Sequence, residues 1–163
     1  MNRPQHQYRV TKYDPALRST DGTYPLDDWT SRSDIGKPFG GALLTEDSYL
    51  STEHAYLQAA SAFLAEAKIL RLKIVGLENY NERPHAPSAG STVESADVPT
   101  LLRSLLREEF WCKLEGPSSF VHVGYDYYMY VGVPHECTNA SVLTRSLGLF
   151  VETFHSPYAE NDA

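Results

Sequence analysis

The stretch VHVGYDYYMY, residues 121–130, holds one histidine, one aspartate and four tyrosines in ten positions. These are side chains that carry out general acid–base catalysis, and a pocket lined by His122, Tyr125, Tyr128 and loop carboxylates would suit a small enzyme or a ligand-binding domain. No GxSxG motif and no fixed Cys–His spacing supplies a nucleophile beside them. The other interpretation of His122 is structural, with its ring held by a backbone or tyrosine partner.

A second group of functional side chains lies in the long segment 15–44, which is rich in turn-forming residues and predicts an extended, irregular loop. Long loops in compact domains are often functional. Carboxylates in this loop could form a hydrolase pair or simply be solvated. Trp29 stands among them and either pins the loop to the core or belongs to a binding face. The four clustered carboxylates are those of Asp21, Asp27, Asp28 and Asp34.

Metal and phosphate chemistry lack their usual motifs in this sequence. The six histidines show no HxH or HxxxH spacing, and the adjacent residues of HEC, 135–137, point in different directions on a strand or turn. The glycine-rich GKPFGG, 36–41, lacks the residue order of a phosphate-binding loop. We therefore expect no metal, no cofactor and no catalytic activity.

Charge and composition limit the partners that the chain can have. The net charge is -7 and the isoelectric point about 5.3, so phosphate backbones repel the protein and a basic protein is the better partner. Two cysteines, at 112 and 137, form no disulfide framework, and the N-terminus has no apolar signal region. No apolar run reaches the ~18–20 residues that span a bilayer. These features predict a cytoplasmic location and no membrane contact.

Hydrophobic periodicity predicts a single α+β domain over 1–163, with a mostly antiparallel sheet and helices packed on one face. The ordered core is expected over 8–156, a mobile loop over 81–97 and a frayed tail over 157–163. The predicted helices are 45–67, 97–108 and 136–148. The predicted strands are 8–14, 68–80, 109–116, 119–126, 127–134 and 149–156. Tyrosines on both faces of the last hairpin imply one buried set and one exposed set, and an exposed row suits a recognition surface.

Several segments together resemble a family of small, uncharacterised bacterial proteins. They are KYDPALR, DGTYPLDDWTSRSDIGKPF, LTEDSYLSTEHAYLQA, LREEFWCKLEG and FVHVGYDYYMYVGVP. The family pattern contains a DEWTSxSDIG-like segment and an HxGYDYYMY-like hairpin, and the resemblance covers about residues 8–134 without the 81–97 loop. In size, charge and aromatic content the chain is also similar to immunity proteins of bacterial polymorphic toxin systems.

The second resemblance implies a protein that binds a cognate toxin, whose basic cleft an acidic surface can find and cover. The expected partner is a basic toxin domain. Two alternatives stay open, namely the pocket around His122 and an adaptor domain with another partner. The residues expected to contact the partner are Asp21, Asp27, Asp28, Trp29, Asp34, Tyr125, Asp126 and Tyr127.

Overall fold

A computed structural model describes residues 3–159, which form a seven-stranded antiparallel sheet with three α-helices. The helices are α1 (Glu46–Glu66), α2 (Val98–Leu106) and α3 (Thr138–Ser146). The strands of this sheet are β1 (His6–Thr11), β4 (Arg71–Glu78), β5 (Thr92–Glu94), β6 (Trp111–Gly116), β7 (Ser119–Val123), β8 (Tyr128–Val133) and β9 (Phe150–Thr153). Their order is β5-β4-β6-β7-β8-β1-β9. A separate hairpin pairs β2 (Pro38–Phe39) with β3 (Ala42–Leu43).

The predicted α+β fold is confirmed, and the helices pack on one face of the sheet. Alternate residues of each strand reach that face, as the register of Val10 opposite Met129 and of Val121 opposite Val131 shows. Against them α1 buries a mixed aromatic and aliphatic stripe. Its largest buried side chains are Tyr49, Tyr56, Phe63 and Leu64. The core therefore lies between α1 and the central strands β8, β7 and β6.

Helix α1 begins and ends where the sequence predicts, for identifiable reasons. The hydroxyl of Thr45 accepts a hydrogen bond from Ser48 N at 3.1 Å, which satisfies a free amide of the first turn. At the other end Lys68 takes the left-handed conformation, with φ 59°, and Ile69 N donates to Leu64 O. That bond closes the last turn of the helix and directs the chain into β4.

Within residues 3–159 the other face of the sheet carries no α-helix, and the chain after β9 crosses it. We call residues 154–159 the C-terminal strap. Phe154 N donates to Gln7 O, and Ser156 N donates to Gln7 Oε1 at 3.0 Å, so the strap is tied to β1. Tyr158 packs against rings of the sheet, contrary to the expected frayed tail. Residues 160–163 of that predicted tail lie outside the described residues.

Two predicted loops contain short strands. The hairpin of β2 and β3 and two 3-10 turns lie within 15–44, and β5 lies within 81–97 and pairs with β4. Strands of two or three residues are too short to show alternation, and pairing with a neighbour defines them. None of the helices within 3–159 combines the length and the apolar character that crossing a bilayer requires.

Candidate functional site

The turn between β7 and β8 orients neighbouring tyrosines in opposite directions. Tyr127 is in the left-handed region with φ 65°, which is rare for a bulky side chain. This conformation directs its ring into the core, where it stacks on Tyr56 with centroids 4.8 Å apart. Tyr125, two residues earlier, is 59% exposed. The surrounding structure must stabilise the turn, because such strained conformations persist only where packing determines them.

A buried network of hydrogen bonds and ion pairs holds the Tyr127 side chain in the core. Its hydroxyl donates to Tyr49 Oη at 3.0 Å, and the Tyr49 hydroxyl donates to Glu53 Oε2 at 2.7 Å. Arg107 donates to both oxygens of Glu53 at 2.9 Å, and Arg103 lies 3.4 Å from the same carboxylate. Burial opposes ionisation of Glu53, but Arg107 and Tyr49 outweigh it and the pKa is lowered. The network joins α1, α2 and the turn.

Two further tyrosine hydroxyls hold the backbone of the same turn. Tyr56 donates to Tyr127 O at 2.6 Å, and Tyr13 donates to Asp126 O at 3.0 Å. Tyr13 also lies 3.0 Å from Trp29 O, so its hydroxyl connects the long loop to the turn. Burial of Tyr13 and Tyr56 raises the pKa of each hydroxyl far above its ordinary value. Both therefore stay protonated and remain donors at neutral pH.

Trp29 and Tyr127 are core residues, which corrects their expected place on a partner-binding surface. They are 8% and 2% exposed, and their rings pack edge to face with centroids 4.9 Å apart. Trp29 also packs on Tyr49 at 5.3 Å. Of the two interpretations of Trp29, the structure matches the one in which it pins the loop to the core. A partner cannot reach either ring in this conformation.

The four loop aspartates do not form one acidic face. Asp28 turns toward Lys12, whose Nζ lies 3.0 Å from the carboxylate and 4.0 Å from the Trp29 ring. Hydrogen bonds from Ser19 and Thr23 hold Asp21 in a local turn and lower its pKa to about 2. Asp27 is exposed.

Asp34 belongs to a local turn of the long loop. It accepts a backbone hydrogen bond from Thr30 at 2.9 Å, and this and other hydrogen bonds lower its pKa despite partial burial. Its negative charge is the smaller of the two causes that raise the pKa of Glu108, after burial.

Exposed and half-buried rings and carboxylates meet at the end of the sheet where Tyr125 lies. They surround a cleft of about 110 Å³ between the end of β4, the end of α2, the start of β6 and the β7–β8 turn. Tyr80 is 86% exposed there. We call this set the acidic–aromatic surface. It consists of Glu78, Tyr80, Glu108, Glu109, Trp111 and Tyr125.

A β-bulge places Glu78 in this surface. Val75 pairs with Lys113 and Glu78 pairs with Trp111, so β4 has one residue more than β6 between the two pairs. Gly76, with φ 66°, supplies the left-handed backbone within the bulge. As a result Glu78 Oε2 lies 3.5 Å from Tyr125 Oη, and the Trp111 and Tyr125 rings stack with centroids 6.5 Å apart.

The end of α2 places Glu108 and Glu109. Glu108 has φ 58° and its amide donates to Leu105 O, while Glu109 N donates to Ser104 O. Glycine usually occupies the position of Glu108 in this helix ending. Partial burial, with a contribution from Asp34, raises the pKa of Glu108. The carboxylate of Glu109 lies 2.6 Å from His85 Nε2.

Sequence reasoning found Tyr125 but missed its neighbours. Glu78 and Tyr80 lie in the last residues of the strand predicted over 68–80, and Glu108, Glu109 and Trp111 lie where the predicted helix and strand meet. Residues at the ends of elements come together only when the strand order is known. The acidic pair Glu108–Glu109 directly before an aromatic pair was the available signal.

The alternative pocket does not form around His122, because the ring is fully buried. It stacks on Phe120 with centroids 4.1 Å apart, Nδ1 accepts from the Ser156 hydroxyl at 2.7 Å, and Nε2 donates to Glu115 at 3.1 Å. Tyr128 packs beside Tyr13, whereas Tyr125 stacks with Trp111. Within 3–159 no cluster of three or more histidine, cysteine or acidic side chains is arranged to hold a metal ion.

Comparisons with family models, with curated proteins and with solved structures give no match. The carboxylates and aromatic rings of the acidic–aromatic surface are therefore the features that bear on function.

Proposed function

We propose that this chain is a cytoplasmic immunity protein that neutralises a cognate toxin by covering a basic face of it with the acidic–aromatic surface. The observation that carries the proposal is the cleft at which exposed Tyr80 and Tyr125 flank the carboxylates of Glu78 and Glu108. Carboxylates attract a basic protein, and tyrosines supply a large contact area with few rotatable bonds.

The tyrosines suit the role of anchors in a protein interface. Tyrosine is enriched among residues whose truncation weakens binding most. The Tyr125 and Trp111 rings stack and line the cleft. The carboxylates that also line it can pair with lysine or arginine side chains of a partner. An arginine fits such a cleft best, because its planar guanidinium can pair with a carboxylate and stack on a ring together.

The buried network beneath the turn supports tight binding by preorganisation. Tyr127, Tyr49 and Glu53 hold the turn before a partner arrives, so less conformational freedom is lost on binding. The net charge of -7 adds long-range attraction for a basic toxin and increases its association rate.

Co-expression with the product of the adjacent gene tests the proposal. The chain should restore growth of cells that express this product and should co-purify with it. Tyr125→Ala and Glu108→Lys should each reduce protection and co-purification. The matched control is Glu136→Lys, because Glu136 is an exposed acid that follows β8 at the end away from Tyr125.

Folded variants that still protect fully would exclude this surface from toxin binding. Equal loss in Glu136→Lys would show that overall charge, not the acidic–aromatic surface, governs the interaction. Circular dichroism of each variant separates lost binding from lost folding.

A further inference from the structure

The C-terminal strap connects the helix-free face of the sheet to the acidic–aromatic surface. The Tyr158 ring packs on Trp111 with centroids 5.5 Å apart, and Trp111 is in turn stacked with Tyr125. Tyr158 also packs edge-on against His122 and Tyr130. Three rings thus form a row that begins in the strap and ends at the exposed Tyr125.

The hydroxyl end of Tyr158 lies beside the turn that carries Tyr125. A Cβ atom built on Gly124 would lie 3.2 Å from Tyr158 Oη and 2.9 Å from Asp126 Oδ1. Glycine at 124 therefore leaves room for the phenol and the carboxylate beside the turn. Burial, with a smaller contribution from Asp126, raises the pKa of Tyr158, so the hydroxyl stays neutral there.

Hydrogen bonds hold the C-terminal strap in place next to the Tyr158 ring. The Ser156 hydroxyl donates to His122 and accepts from Tyr158 N at 3.1 Å. Lys113 Nζ donates to Tyr158 O at 3.4 Å. These bonds hold the Tyr158 ring against Trp111.

We propose that the C-terminal strap positions the acidic–aromatic surface, with Tyr158 as a wedge that holds Trp111 and the 124–127 turn in their binding conformation. Tyr158 is a positioning residue that acts through Trp111 and the turn. The effect on partner binding rests on the proposed function, whereas the effect on the turn does not.

Amide hydrogen exchange of full-length Tyr158→Ala tests the positioning without any partner. Exchange of Gly124, whose amide donates to Tyr128 O, should accelerate by about tenfold or more. Amides at the opposite end of β8 should exchange as in the wild type. Tyr158→Leu, which keeps apolar packing but removes the ring and hydroxyl, serves if the alanine variant does not fold. Phe154→Ala is the strap control, because Phe154 packs on Arg9 and Tyr130 and lies outside the row of Tyr158, Trp111 and Tyr125.

Binding to the adjacent gene product gives the second readout. Tyr158→Ala should weaken affinity by about tenfold, while the salt dependence of association stays as in the wild type because no charge is removed. Unchanged exchange at Gly124, or an equal increase in Phe154→Ala, would overturn the positioning role. Tighter binding by Tyr158→Ala would also overturn it, since the strap would then be obstructing the surface. If the wild type does not bind this product, the proposed function fails and hydrogen exchange alone decides the role of Tyr158.

Discussion

Tyr125 and Tyr127 show how far residue identity alone predicts a role. Both belong to the same aromatic stretch, yet one is exposed and the other is a core residue. The difference comes from the left-handed backbone of Tyr127, which depends on its contacts with Tyr49, Tyr56 and Trp29. The residues in these contacts are distant from Tyr127 in sequence. The sequence pattern could therefore predict that some tyrosines are buried and others exposed, but not which tyrosine belongs to which set.

Replacing Trp29 by alanine tests its assignment to the core. The change should lower the free energy of unfolding by about 3–5 kcal/mol, as for other buried aromatic residues replaced by alanine. Tyr125→Ala should stay within about 0.5 kcal/mol of the wild type because the ring is on the surface. Urea denaturation measures both, with Trp29→Phe available if the alanine variant is too unstable. Equal stability of Trp29→Ala and the wild type would contradict the assignment.

His122 should make stability depend on pH in a defined direction. Burial, with a contribution from Lys113, lowers its pKa to about 3 from an ordinary value of 6.5. The folded state therefore favours the neutral ring. The stabilisation is complete above the unfolded pKa, and it is lost progressively as the pH falls from about 6.5 toward 3, by at most about 1.4 kcal/mol per pH unit. The ionisable groups around the ring are Lys113, Glu115, Tyr158 and Tyr130, the last of which is paired with His122 across β7 and β8.

Urea denaturation of the wild type and His122→Asn between pH 7 and pH 4 measures this contribution. The stability difference between them should shrink as the pH falls, because only the wild type must bury a ring that water would protonate. Other carboxylates titrate in both proteins and cancel in the difference. Parallel pH profiles would show that His122 is not held neutral by the fold.

At the scale of elements, the long periodic segments were predictable and the short irregular ones were not. Helix α1 has a capping threonine and an apolar stripe, and the meander of β6, β7 and β8 follows from alternation and short turns. The bulge at Gly76 and the left-handed ending of α2 give no pattern, because each is imposed by neighbouring elements. These two irregularities place Glu78 and Glu108 beside Tyr125. The site was therefore less predictable than the fold.

Glu108→Gly should separate stability from function at the end of α2. Glycine relieves the left-handed backbone and should raise the free energy of unfolding by about 1 kcal/mol. The same change removes a carboxylate from the acidic–aromatic surface and should weaken binding of the proposed partner. Lys68→Gly is the matched control, since Lys68 has nearly the same φ at the end of α1. It should gain similar stability and keep binding, as denaturation and calorimetry can establish. Equal binding losses in both variants would contradict a specific role for Glu108.

At the scale of the whole molecule, the two faces of the sheet are covered by different parts of the chain. One face packs the helices, and the other carries the C-terminal strap. The acidic–aromatic surface lies at an end of the sheet to which both sides contribute, since Glu108 follows the end of α2 and the strap packs on Trp111. Composition predicted an acidic protein with a basic partner. Composition could not show where unpaired negative charge lies on the surface, because acidic side chains also form ion pairs with nearby cations, as Asp28 does with Lys12.

The most direct test of the central claim is the association rate constant with the adjacent gene product, measured by stopped flow at several ionic strengths. Glu108→Lys and Glu136→Lys change the net charge equally, from -7 to -5 (-7 + 2), but at opposite ends of the sheet. Glu108→Lys should slow association by about tenfold at low salt, and the difference should vanish at high salt. Glu136→Lys should remain close to the wild type. Equal slowing by both variants, or by neither, would contradict recognition through the acidic–aromatic surface.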